Sequence, residues 1–136
     1  MKSKIFWLRL AYWWGIIVDG VMAVLMLIPP LYLRFTSLNL KAEAGFAYGL
    51  LNAAPLMIGW TILLLWADRK PVERKAILPL TLPVIAGYVS VEVYALFIGV
   101  ATLGSLLPTL AAQAVVSALF IYGYLNASTQ AGAQAA

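Results

Sequence analysis

Four long apolar blocks, separated by short polar breaks, constrain this chain more than any other feature of its sequence. They run at about Leu10–Leu33, Ala44–Ala67, Ala76–Gly99 and Leu106–Leu125. A helix crosses roughly 30 Å of hydrocarbon in about 20 residues, so each block is long enough to span a bilayer. Inside lipid the backbone must pair within the segment, and for blocks of this length that means helix. The expected fold is an all-α integral membrane four-helix bundle with short loops, one domain over residues 1–125.

Composition supports this. Of 136 residues, 64% are hydrophobic and 10% charged, with a mean hydropathy of +0.94. A soluble domain carries about a quarter charged residues. Nine basic and five acidic side chains are too few to clothe so much apolar surface in water.

The net charge of +4 does not point to nucleic acid, because the basic residues are not spread over a face. They gather at the ends of the blocks: Lys2, Lys4 and Arg9, then Arg69, Lys70, Arg74 and Lys75. Those two segments hold seven Lys and Arg, the Arg34–Glu43 connection holds two, and the connection after the third block holds none. The positive-inside rule then predicts that both termini are cytoplasmic. Aromatic residues near block ends, such as Trp7, Trp13, Trp66 and Tyr122 on one side and Tyr32 and Phe46 on the other, suit the two interfaces.

Prolines punctuate the blocks. Pro29-Pro30 is expected to close or kink the first span, since proline lacks the amide donor and clashes with the preceding turn. Pro108 falls in the first turn of the fourth, where a missing N–H costs little. The first block is longer than a signal-peptide core and is followed by no small-residue cleavage site, so removal is not expected. The tail 126–136 is small, polar and uncharged, and is expected to be disordered and cytoplasmic.

The chain has no Cys and no His, which removes thiol nucleophiles, thiolate or imidazole metal sites and imidazole acid–base work. No cofactor is expected. Proton chemistry must rest on Asp, Glu, Tyr or Lys.

Two acids lie within the blocks, Asp19 in the first and Glu92 in the third. A carboxylate at mid-membrane costs about 2.5–3.5 kcal/mol on insertion scales, and no Lys or Arg lies deep enough to neutralise either one. Both are therefore expected to be largely neutral acids. Intramembrane acids serve either as interhelical packing glue or as functional sites. Depth favours the second. At 1.5 Å per residue, Glu92, Asn52 and Gln113 share a level roughly 10–12 Å below the outer edge, and Asp19 lies slightly deeper. Tyr88 sits one turn inward of Glu92, and Thr109, Gln113 and Ser117 form a stripe on the fourth block. A shared polar site of Asp19, Asn52, Tyr88, Glu92 and Gln113 is expected, with a simple Asn52–Gln113 pair as the alternative. The cytoplasmic loop residues Arg69, Lys70, Arg74 and Lys75 could hold anionic lipid headgroups at about 1 kcal/mol each. They also suit an orientation signal with local ion pairs.

The run Trp66-Ala-Asp-Arg-Lys-Pro-Val-Glu-Arg-Lys75, after Gly59-Trp60-Thr61, resembles a family of small four-span bacterial membrane proteins of uncharacterised function. The resemblance implies the bacterial plasma (inner) membrane and no particular activity. Small multidrug-resistance transporters are similar in size and span count and carry an acidic residue in the first helix. Here that residue is Asp19, and its neighbours Val18, Gly20 and Val21 do not match. The emopamil-binding and sigma-2-like group is similar in its two buried acids, but this chain has Asn52 where the second would fall.

The leading expectation is a polar cavity that binds a proton, a cation or a small amphipathic ligand, possibly in transport and as a homodimer. The alternatives are a membrane-embedded enzyme using carboxylic acid catalysis on an isoprenoid or sterol-like lipid, and an accessory subunit.

Overall fold

Pro29 and Pro30 decide where the first helix stops. Neither can donate to the carbonyl four residues earlier, and in a continuous helix their rings would crowd the carbonyls of Leu25 and Met26. In the structure, a computed structural model that describes residues 2–133, helix α1 covers Lys2–Met26 and a separate short helix α2 covers Pro29–Thr36. The prolines occupy the first two positions of α2, where the lost donors have no intrahelical partner to miss. The first block therefore does not run to Leu33 as expected. It ends a turn before the prolines, and its last residues fold into a second helix that closes at Ser37 in the left-handed region, φ 53°.

Three further helices follow: α3 (Ala44–Asp68), α4 (Ile77–Phe97) and α5 (Leu103–Ala133). The stretch from Asn126 to Ala133, expected to be irregular, continues α5: it holds no proline, and its three alanines and one glutamine favour helix. Residues 134–136 of the expected tail lie outside the described residues. Pro55, Pro83 and Pro108 all stand within helices. Four helices are long and apolar enough to cross a membrane: Ile5–Met26, Ala44–Asp68, Ile77–Phe97 and Leu103–Ala127.

Helix α1 is the organising element. It packs most extensively on α3, then on α5, while α4 meets the molecule chiefly through α5. Small residues make this possible. A Cβ added to Gly15 would stand 3.0 Å from both Leu64 of α3 and Phe120 of α5, so a side chain there would hold the three helices apart. Around it Leu8, Ala11, Tyr12, Ile16, Leu64, Ala67, Leu78, Val116 and Phe120 form the main core, near the end that carries the basic residues. A smaller cluster of Met26, Leu50 and Ala54, with Tyr32 and Phe46 against it, holds α2 to α1 and α3 at the opposite end. There the Asn39 amide donates to the Val100 carbonyl at 3.0 Å, tying together the connections before α3 and after α4.

The surface between these clusters is apolar. Phe97 is 85% exposed, Leu56 77% and Val91 65%. An apolar surface of this extent marks a lipid or partner boundary rather than water. Only 6% of the apolar stretch of α4 is covered by the rest of the chain, against 39% for α1.

The basic end is held by specific contacts. Arg9 Nε of α1 stands 3.5 Å from Asp68 Oδ1 at the end of α3. Lys70 pairs with Glu73 at 3.0 Å. The Arg74 guanidinium lies 3.4 Å over the Trp66 ring and donates to the Trp66 carbonyl.

Candidate functional site

The packing of α4 on α5 brings Glu92 to Gln113. Gln113 Nε2 donates to Glu92 Oε1 at 3.0 Å, from α5 to α4. The second oxygens, Glu92 Oε2 and Gln113 Oε1, are both buried and have no hydrogen-bond partner among the described residues. Thr109, one turn before Gln113, lies beside the Glu92 carboxyl. Its single hydroxyl hydrogen is engaged by the Leu106 carbonyl at 2.8 Å.

Asp19 occupies a half-buried position on α1 and makes no hydrogen bond or ion pair among the described residues. Its carboxyl lies within electrostatic range of the Tyr88 hydroxyl of α4. Tyr32 of α2 is in turn within range of both Tyr88 and Glu92. Tyr88 is thus within electrostatic range of Asp19 and Tyr32 within range of Glu92, while Gln113 and Thr109 approach Glu92 from α5. Tyr32 itself lies on α2, outside the four long helices. Burial holds its phenol above the ordinary value of 10.0, and the nearby Tyr88 and Glu92 add to the effect.

Asn52 does not join this group. Its side chain is on an exposed face of α3 and donates to the Tyr48 carbonyl of its own helix at 2.8 Å. Nor does it pair with Gln113, whose amide goes to Glu92. Matching depth along two helices does not fix which way either helix is turned. Tyr32, absent from the expected site, comes within range because α2 packs against α1 and α3; the Pro-Pro pair was the available signal, as a helix start.

Of the residues expected to meet lipid headgroups, Lys70 and Arg74 are engaged within the chain, and Lys75 Nζ lies 5.7 Å from the Tyr124 ring centre. Arg69 is exposed and forms no ion pair among the described residues. Beside it a shallow groove of about 210 Å³ is lined by Ile5, Arg9, Lys70, Pro71, Val72 and Glu73. Among the described residues, no three acid, imidazole or thiol side chains converge as metal ligands would.

No known protein family, curated protein or solved structure matches this chain. The reading of the site therefore rests on its own chemistry.

Proposed function

We propose that this chain is a small multi-pass membrane protein whose Asp19, Tyr32, Tyr88, Glu92 and Gln113 form a polar site that binds a small amphipathic cation in competition with protons. The observation that carries this reading is Asp19: an acid about two-thirds of the way along an apolar helix, within electrostatic range of Tyr88, with neither a hydrogen bond nor a counter-ion among the described residues. The nearest cation on its own helix, Arg9, is ten residues away, about 15 Å along the axis, and already faces Asp68. A carboxylate in such a place needs a positive partner or a proton. Aromatic faces suit the apolar body and the charge of an organic cation, and the site offers two tyrosines.

In this reading both termini and the connection 69–76 face the cytoplasm of a bacterial inner membrane, following the distribution of Lys and Arg. Arg69, Lys70, Arg74 and Lys75 meet anionic headgroups there. Four spans give few walls for a translocation path, so the reading includes a homodimer, and proton-for-cation exchange is the activity such a site would serve.

The test is binding of benzyltrimethylammonium to the protein in lipid nanodiscs by calorimetry, as a function of pH. Binding should weaken as pH falls, and Asp19→Asn should weaken it by about tenfold or more, or roughly 1.4 kcal/mol. Binding that is indifferent to both changes would overturn the reading.

A further inference from the structure

The two acids of the site are not in equivalent positions. Glu92 shares a bond with Gln113, and each of the two groups then carries one buried oxygen with no hydrogen-bond partner among the described residues. An ionised Glu92 leaves this arrangement unfavourable, since both buried oxygens stay without a hydrogen-bond partner among the described residues. A single proton on Glu92 Oε2 removes both defects. The acid O–H donates to Gln113 Oε1 while Gln113 Nε2 donates to Glu92 Oε1, and the planar acid and the planar amide close a two-bond ring.

We propose that Glu92 is the proton-holding residue of the site, a neutral acid locked to Gln113 as a clasp between α4 and α5, and that Asp19 alone exchanges its proton for the ligand. This division of labour deepens the reading given under Proposed function and rests on it; the clasp itself does not. The surroundings of Glu92 are consistent on every side. Its own helix presents Tyr88, α2 presents Tyr32, and α5 presents Thr109 and Gln113, with Asp19 of α1 beyond Tyr88. None of these is a cation that would hold Glu92 ionised. Thr109 approaches the Glu92 carboxyl and can donate to it only by giving up its bond to the Leu106 carbonyl at 2.8 Å. Asp19 has no amide partner and so no equivalent lock. Two carboxyls made unequal by their surroundings is how one site separates a held proton from an exchangeable one.

The experiment is infrared spectroscopy of the protein in nanodiscs, with glutamate side chains labelled with carbon-13 so that their carboxyl bands separate from those of aspartate. The chain has three glutamates, and Glu43 and Glu73 lie outside the long apolar helices. At neutral pH the wild type should show one neutral glutamic acid band, absent from Glu92→Gln. Gln113→Leu should displace that band to the higher frequency of a weakly bonded acid. Should Gln113→Leu fail to fold, Gln113→Asn, one methylene shorter, carries the same expectation. No neutral band assignable to Glu92, or a band that ignores the change at Gln113, would overturn the clasp. The two readings fail separately. An ionised Glu92 removes the clasp and leaves cation binding at Asp19 standing, whereas cation binding unaffected by Asp19→Asn removes the ligand reading and leaves a neutral Glu92 in place.

Discussion

The Tyr12 hydroxyl donates to the main-chain carbonyl of Arg74 at 2.9 Å, across 62 residues of sequence. The ring that carries it is wholly buried in the main core. Arg74 in turn stacks on Trp66. Through this bond α1 fixes the connection that launches α4, a helix otherwise attached mainly through α5. The position of Glu92 on α4 thus depends partly on a contact at the opposite end of the molecule.

Replacing Tyr12 by Phe keeps the ring and removes the donor. The Arg74 carbonyl retains the Ile77 amide at 3.0 Å, so no acceptor is orphaned and the expected loss is about 0.5–1.5 kcal/mol. Tyr12→Ala empties the core and should cost about 3–5 kcal/mol. Unfolding in mixed micelles measures both. Equal losses would show that the hydroxyl, rather than the ring, dominates.

Gly15 and Gly20 sit on the same helix but should respond oppositely. A side chain at Gly15 meets Leu64 and Phe120 at 3.0 Å, whereas at Gly20 the nearest atom is Thr61 Cγ2 at 3.7 Å, an ordinary contact. Gly15→Val should therefore destabilise by about 1–3 kcal/mol through overpacking. Gly20→Ala should be neutral or gain up to about 1 kcal/mol from the lower backbone freedom of alanine. The same unfolding assay decides, and a tolerated Gly15→Val would argue against the convergence of α1, α3 and α5.

The four long helices are legible in the sequence because lipid-length apolar blocks allow few alternatives. Boundaries were less so. The Pro29-Pro30 pair reads equally as a stop or a kink until the short helix behind it is seen. Depth along each block put Glu92 level with Gln113, and the structure bonds them at 3.0 Å. The same bookkeeping put Asn52 at that level, yet Asn52 turns to its own backbone. Axial position follows from counting residues at a fixed rise. Rotation about the axis depends on which faces pack, and the helices here are apolar nearly all round, so the sequence carries little record of it.

Orientation is testable because the chain contains no cysteine. Asn39 and Val72 are both exposed and lie in connections at opposite ends of the long helices. If the excess of Lys and Arg sets the topology, Asn39→Cys should react with an impermeant maleimide in intact cells, and Val72→Cys only after permeabilisation. The reverse pattern would invert the assignment.

Tyr32 offers a readout of the site at alkaline pH. Burial favours its neutral phenol, so the folded chain keeps a proton that the unfolded chain has shed once pH passes the ordinary value of 10.0. The resulting contribution to stability is complete below pH 10 and is lost as pH rises through the higher folded value. Tyr32→Phe removes the titrating group and should flatten that part of the decline. The chain has seven tyrosines, so the ionisation of this one is read as the tyrosinate absorbance of wild type minus that of Tyr32→Phe. The difference titration should lie above the ordinary value. A midpoint at or below it would place Tyr32 in water, away from Tyr88 and Glu92, and would detach α2 from the proposed site.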